Sequence, residues 1–303
     1  MQTVLRVQGL SKNFGEIRAV ENLSFSMEEG KVYGFLGQNG AGKSTTIRML
    51  LTLIEPSAGS IEIFGMDLRK HRNEILRQTG AIIEKPDLYK YLTATENLSL
   101  FARLSRYRAT SRQIMEQLEM VGLADRAYSK VRTYSQGMKQ RLGLACALIH
   151  QPRLIILDEP TNGLDPQGIA DMRRMIVRLS REQGKSILVS SHLLSEMEVV
   201  ADAMLIIHKG KKIVEGNVRD LLDPGEVNVE LVADDTLAAM QMIRGSEWNE
   251  CLLDGPPGPI RLHMKKEDIP LLNKRLVENG IGVSGGRAIN TLEAYFLSQT
   301  RET

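Results

Sequence analysis

The eight residues Gly37-Gln38-Asn39-Gly40-Ala41-Gly42-Lys43-Ser44 constrain this chain more than any others. They follow a nearly unbroken apolar run, Val32-Tyr33-Gly34-Phe35-Leu36, and precede a helical period over 43–53. An apolar run that short, introduced by the turn Glu29-Gly30, predicts a parallel strand buried on both faces. The spacing G-x-x-x-x-G-K-S between such a strand and a helix is that of a P-loop. Its glycines let backbone N–H groups turn toward phosphate oxygens without interference from a Cβ. The new helix adds the positive end of its dipole. Lys43 is expected to reach the β- and γ-phosphates, and the Ser44 hydroxyl to bind Mg²⁺.

The rest of the chain supplies an α/β frame for this loop. Leu5 and Val7 alternate with Arg6 and Gln8, and Leu23, Phe25 and Met27 alternate with Ser24, Ser26 and Glu28, as half-buried strands do. Helical periods are expected at 94–106, 111–121, 136–149, 168–182 and 193–201, and apolar strands at 80–83, 154–157, 186–190 and 204–208. Strands alternating with helices predict a parallel sheet. Residues 88–150 carry helical patterns alone and read as a helical subdomain inserted in the α/β core. Thr93-x-x-Glu96 is a capping box that opens it.

Asp223-Pro224-Gly225 is a turn-forming tripeptide and marks a boundary between domains 1–223 and 224–303. The second segment predicts the order β-α-β-β-α-β, with strands at 227–231, 251–253, 260–264 and 281–284 and helices at 235–243 and 267–279. That order suggests a small α+β, ferredoxin-like module, followed by a terminal helix at 291–300. The 8 basic and 12 acidic side chains of this segment leave 31 basic and 25 acidic ones before it. A net-positive first domain suits an anionic ligand, while an overall charge of +2 argues against a nucleic-acid partner.

Ligands of open α/β sheets bind beyond the carboxyl ends of the strands. Asp158 and Glu159 follow the apolar run Leu154-Ile155-Ile156-Leu157, His192 follows the strand that ends in Ser190-Ser191, and Glu84 follows Ala81-Ile82-Ile83. All should face the same edge as Gly37. Asp158 is expected to hold Mg²⁺, Glu159 to polarise an attacking water, and His192 to hydrogen-bond the γ-phosphate. His71, His150, His208 and His263 lack metal-site spacing.

With these residues in order, the chain resembles the ATP-binding subunits of ABC transporters. GQNGAGKST at 37–45 resembles Walker A, LIILDEP at 154–160 Walker B, and GLDP at 163–166 the D-loop; His192 falls at the switch histidine. The resemblance covers residues 1 to about 223 and implies an ATPase domain with an antiparallel β subdomain and an inserted helical subdomain. It implies nucleotide contacts from Gly37, Asn39, Gly40, Ala41, Gly42, Lys43, Ser44 and Thr45. Ser135-Gln136-Gly137-Met138 stands where the family carries its signature. Ser135 and Gly137, which are kept, would meet the γ-phosphate of a nucleotide held by a second ATPase subunit. Ser135 is equally a simple helix cap. Phe14 lies where the family places an aromatic against adenine; a core phenylalanine is the other reading.

There are two departures. Gln136 replaces a glycine of the signature, and Glu84 replaces the usual glutamine. The segment from Glu84 to Leu98 is similar to the peptide-antibiotic (bacitracin and lantibiotic) resistance branch. A carboxylate at 84 would bind Mg²⁺ more strongly than an amide but repel the γ-phosphate; a merely tolerated exposed residue is the alternative. The tail Thr291-Leu292-Glu293-Ala294-Tyr295-Phe296-Leu297 is similar to that of drug-type exporter ATPases.

The sequence thus predicts an ATPase subunit that pairs with a second copy or homologue and drives a separate membrane permease. Tyr89, Tyr91 and Phe101 resemble the surface that meets the permease, although helix packing accounts for Phe101 as well. MQTVLRVQGL shows no secretory signal, no apolar run approaches a membrane span, and two cysteines suit a reducing compartment. The expected location is cytoplasmic, at the inner face of the membrane. The alternative is a soluble family ATPase or a nucleotide-dependent regulator. Single-cassette length and the presence of both Glu159 and His192 weigh against it.

Overall fold

The computed structural model describes residues 2–222, 225–256 and 258–289. It divides into two compact units, one ending at Val218 and the other beginning at Arg219. Each is described by itself.

The first unit opens with β1 (Thr3–Phe14), β2 (Ile17–Glu28), β3 (Val32–Leu36), α1 (Lys43–Leu50), β4 (Ala58–Ile63), β5 (Met66–Asp67), α2 (Arg72–Arg77) and β6 (Thr79–Ile82). Three helices follow: α3 (Ala94–Leu104), α4 (Ser111–Met120) and α5 (Gln136–Leu148). The chain then runs through β7 (Leu154–Leu157), α6 (Pro166–Gln183), β8 (Ser186–Ser191), α7 (Leu194–Val200), β9 (Ala203–His208) and β10 (Lys211–Asn217). A short α8 (Val218–Leu222) comes next.

Two sheets result. An antiparallel sheet has the order β2-β1-β4-β5, and a six-stranded sheet has the order β10-β9-β3-β8-β7-β6. In the latter β9, β3, β8, β7 and β6 are parallel and β10 is an antiparallel edge. β3, β7 and β8 are buried at every position, which is why β3 and β7 read as apolar runs and β8 as Ile187-Leu188-Val189 between serines. One core joins the two sheets through α1: Leu5, Leu23 and Phe25 pack with Phe35, Ile47, Leu50 and Leu188.

Residues 88–150 form the helical insertion. Its core contains Leu98 of α3, Leu118 of α4 and Leu142 and Ala145 of α5. Glu96 N donates to Thr93 Oγ1 at 3.2 Å and Thr93 N donates to Glu96 Oε2 at 2.7 Å, so the capping box is closed. Thr110 and Gln113 make a second one at the start of α4.

Several elements differ from the sequence expectation. α1 stops at Leu50 rather than 53, because Thr52 takes a positive φ of 57° and Leu51 and Ile54 reach the core from a turn. β4, β5, α2 and β10 were not foreseen. β4 begins with exposed Ala-Gly-Ser and alternates only over Ile61-Glu62-Ile63, and β10 is nowhere fully buried, so neither shows a strand-length apolar pattern.

The second unit contains β11 (Glu226–Ala233), α9 (Thr236–Arg244), β12 (Leu252–Asp254), β13 (Ile260–Lys265), α10 (Ile269–Glu278) and β14 (Val283–Ile289). The sheet order is β12-β13-β11-β14, with β11 antiparallel to both neighbours. This is the arrangement of a ferredoxin-like module, with Val229, Leu231, Ile260, Leu262, Leu272 and Leu276 in its core. The last strand begins at Val283 instead of 281. The expected helix over 291–300, the tail beginning at Thr291, and Asp223-Pro224 lie outside the described residues.

Candidate functional site

Neighbouring parallel strands stand about 4.8 Å apart. The order β3-β8-β7-β6 therefore lines up the residues beyond those strands along one edge: Gly37, then His192, then Asp158 and Glu159, then Glu84. Nearness in space here comes from strand order alone, since 155 residues separate Gly37 from His192.

The loop after β3 is sterically specified. A Cβ on Gly37 would lie 2.7 Å from Ile207 O and 2.9 Å from Ala41 Cβ. Gly42 takes φ 105°, and a Cβ there would lie 2.6 Å from Ala19 O. No other residue fits either place without moving backbone. Lys43 then begins α1 and is itself buried, at 5% exposure. Its Nζ donates to Gly37 O at 2.6 Å and Gln38 O at 3.3 Å, which folds the side chain back over the loop.

Glu159 completes the cluster. Its Oε1 lies 3.2 Å from Lys43 Nζ, an ion-pair contact without hydrogen-bond alignment. Its Oε2 lies 2.8 Å from His192 Nδ1. The residue takes a positive φ of 49°, a conformation that costs a non-glycine residue about 1–2 kcal/mol. Ser190, the penultimate residue of β8, holds this turn. Its Oγ donates to Asp158 Oδ1 at 2.6 Å and accepts from Glu159 N at 2.9 Å. Asp158 is 1% exposed, and its Oδ2 is buried with no partner.

That orphaned oxygen is what a cation site would leave behind. Among the described residues no group of three or more His, Cys, Asp or Glu side chains could hold a metal unaided. Mg²⁺ characteristically takes one or two carboxylates and completes its shell with substrate phosphates and waters. Asp158 and Ser44 fit that pattern. They line a cavity of about 770 Å³ together with Glu84, Glu159, Gln136, Asn162 and Gly163.

Glu84 reaches the same cavity, but its Oε1 accepts from Arg48 Nη2 of α1 at 2.6 Å. Both partners are open to solvent. Ser135 and Gly137 do not line the cavity. Ser135 caps α5, accepting from Met138 N at 3.2 Å. Phe14 is 49% exposed, with Lys12 Nζ 5.0 Å from its ring centre, which removes the core-phenylalanine reading. Tyr89 and Tyr91 are exposed, whereas Phe101 packs against the helical core. Sequence reasoning gave no role to Ser190, Arg48 or Thr161. Ser190 had a visible signal, a hydroxyl at the end of an apolar strand two residues before a candidate histidine.

Comparison with known proteins identifies the family. The family profile described as ABC transporter matches residues 20–162. The bacitracin transport ATP-binding protein BcrA of Bacillus licheniformis is 43% identical over 98% of this chain and 97% of its own length. The chain belongs to the ABC transporter family. It is an ATP-binding subunit, and it hydrolyses ATP. The ABC transporter ATP-binding protein YhcH of Bacillus subtilis (strain 168) is 42% identical over all of this chain and 98% of its own. The dimeric post-hydrolysis structure of the ATP-binding cassette MJ0796, bound to ADP and Pi, superposes with a TM-score of 0.65 at 26% identity, over 71% of this chain and 99% of that one. The subunits of this ABC family act as dimers. Among the described residues, no helix is long and apolar enough to cross a membrane.

Proposed function

We propose that this ABC subunit powers an exporter that confers resistance to peptide antibiotics of the bacitracin kind, docked on a separate membrane permease at the inner face of the cell membrane. The full-length similarity to BcrA supports the substrate class. The observation that carries the chemistry is the convergence of Lys43, Asp158, Glu159 and His192 at adjacent strand ends, with Asp158 Oδ2 unsatisfied.

In this reading the 37–45 loop wraps the phosphates of ATP, and Lys43 exchanges its Gly37 and Glu159 contacts for the β- and γ-phosphates. Ser44 and Asp158 would hold Mg²⁺, which would supply charge neutralisation at the phosphates. Glu159 polarises the attacking water. His192, already 2.8 Å from Glu159, hydrogen-bonds the γ-phosphate. Phe14, exposed at the end of β1, stacks on adenine. Ser135 and Gly137 of the second ATPase subunit close the site from the other side. Glu84, held by Arg48, borders the cavity and tunes turnover. Tyr89 and Tyr91 belong to the surface offered to the permease.

The test is resistance in cells. Co-expression of this chain with its permease should raise the bacitracin concentration that a sensitive host survives, and Glu159→Gln should remove that protection. Equal protection with and without the substitution would overturn the export reading.

A further inference from the structure

Glu196 is a carboxylate sealed inside the fold. It lies on α7 beside buried Leu194, Met197 and Val200 and is 4% exposed. A carboxylate removed from water persists only where hydrogen bonds repay its lost hydration. Here both come from hydroxyls. Oε2 accepts from Thr161 Oγ1 at 2.9 Å and from Ser191 Oγ at 2.7 Å. Arg173 of α6 approaches Oε1 at 3.8 Å.

The two hydroxyls belong to the segments that carry the reacting cluster. Thr161 stands two residues after Glu159, and its carbonyl accepts from Leu164 N, closing the turn that ends at Asp165, the cap of α6. Ser191 immediately precedes His192, and its Oγ also accepts from Leu193 N at 3.0 Å, so it brackets the histidine on both sides. One buried oxygen therefore fastens the backbone after Glu159 to the backbone before His192. The contact so framed is the 2.8 Å approach of His192 Nδ1 to Glu159 Oε2.

We infer that Glu196 is a positioning residue for ATP hydrolysis: it fixes the separation of Glu159 and His192 and transmits movement of the 162–165 turn to His192 through Thr161 and Ser191. This rests on the roles proposed above for Glu159 and His192. The physical argument is rigidity. A side chain bonded to two segments at once leaves neither free to shift alone, and misplacement of reacting groups by about 1 Å costs about 100-fold in rate.

The experiment uses the full-length chain and reads kcat and KM for ATP alongside thermal melting. Thr161→Val keeps the shape and removes one hydroxyl; Glu196→Ala removes both bonds; Glu196→Gln keeps an oxygen that accepts both. Thr161→Val and Glu196→Ala should lower kcat by about 10- to 100-fold with KM within about twofold, and Glu196→Gln should recover most of the loss. Combining Thr161→Val with Glu196→Ala should add nothing further, since both cut the same link. The inference is overturned if Thr161→Val melts cooperatively and turns over at the unaltered rate, or if Glu196→Gln is as slow as Glu196→Ala. Should Glu196→Ala not fold, the isosteric Thr161→Val decides alone. A Glu159→Gln control that still hydrolyses ATP would instead sink the underlying site assignment.

Discussion

Glu159→Gln should do two separable things. Glutamine has the shape of glutamate, and its carbonyl can still accept from His192, so the cluster keeps its geometry. The carboxylate is lost as a base for water, which lowers hydrolysis by about 10²- to 10⁴-fold. The second effect follows from the 3.2 Å contact between Lys43 Nζ and Glu159 Oε1. A phosphate must displace that contact to engage Lys43. Two unit charges at this distance attract by about 1 kcal/mol in bulk water and about 5 kcal/mol at an effective permittivity of about 20. Both groups are mostly buried, so the pair lies between these limits, and hydration recovered on separation offsets much of it. If about 1–2 kcal/mol survives, nucleotide binding tightens roughly 5- to 30-fold in the variant. Titration calorimetry with a non-hydrolysable ATP analogue measures this for both proteins, and phosphate release measures the first effect. Phosphate release within about tenfold of the unaltered chain would refute the base assignment. Unchanged or weaker analogue binding would refute the competition between Glu159 and phosphate for Lys43.

Lys43→Ala should abolish tight nucleotide binding without unfolding the chain, because among the described residues its amine contacts only the loop carbonyls and Glu159; fluorescence titration with a labelled nucleotide checks it. Glu84→Gln should keep ATP binding and change turnover or coupling, as measured by ATPase rate and by transport in the assembled complex; no change in either would remove Glu84 from the mechanism. Thr93→Ala should cost about 1 kcal/mol by opening the capping box, seen as a lower urea midpoint. Bonds from the Thr93 backbone and then its hydroxyl hold the Glu96 carboxyl below its ordinary value of 4.5. Thr93→Ala removes the hydroxyl's share of this effect and leaves the backbone's; that share is complete above pH 4.5 and is lost as pH falls through the lowered folded value, so the gap between the two urea midpoints should narrow in acid. Gly143→Ala places a Cβ 2.5 Å from Pro86 and should destabilise the fold by about 1–3 kcal/mol, checked by thermal melting.

How far these residues could be read without the fold depended on what marked them. The placement of Gly42 and Lys43 was legible because the P-loop spacing asks for glycine where φ is positive and for an amine one residue on, a local pattern. Asp158, Glu159 and His192 were legible because each follows an apolar run, and parallel strands deliver such positions to one edge. Glu196 was not, because its partners lie 35 and 5 residues away and its own helix reads as ordinary amphipathic packing. Arg48 was hidden for a similar reason: only the folded path brings it to Glu84. β4 escaped notice because its alternation is confined to Ile61-Glu62-Ile63 behind an exposed Ala-Gly-Ser start, and β10 because it is nowhere fully buried and pairs only as an edge strand with β9.

The start of α5 supports the reading that one chain makes only part of an ATPase site. Met138 N is satisfied by Ser135 Oγ, but the first helical amides, Gln136 and Gly137, have no acceptor within the helix. These amides and the dipole behind them suit an anion. Yet Ser135 and Gly137 stay off the cavity lined by Ser44, Asp158 and Glu159, and only Gln136 reaches its edge. An arrangement with the phosphate-binding loop in one place and an unused set of donors in another is incomplete within a single chain. In the reading proposed above, it would be completed by a second copy presenting its α5 to the first copy's Lys43, and the first copy's α5 to the second's. That arrangement would account for the dimers these subunits form, and the replacement of a signature glycine by Gln136 falls on the one residue of the set that also lines its own chain's cavity.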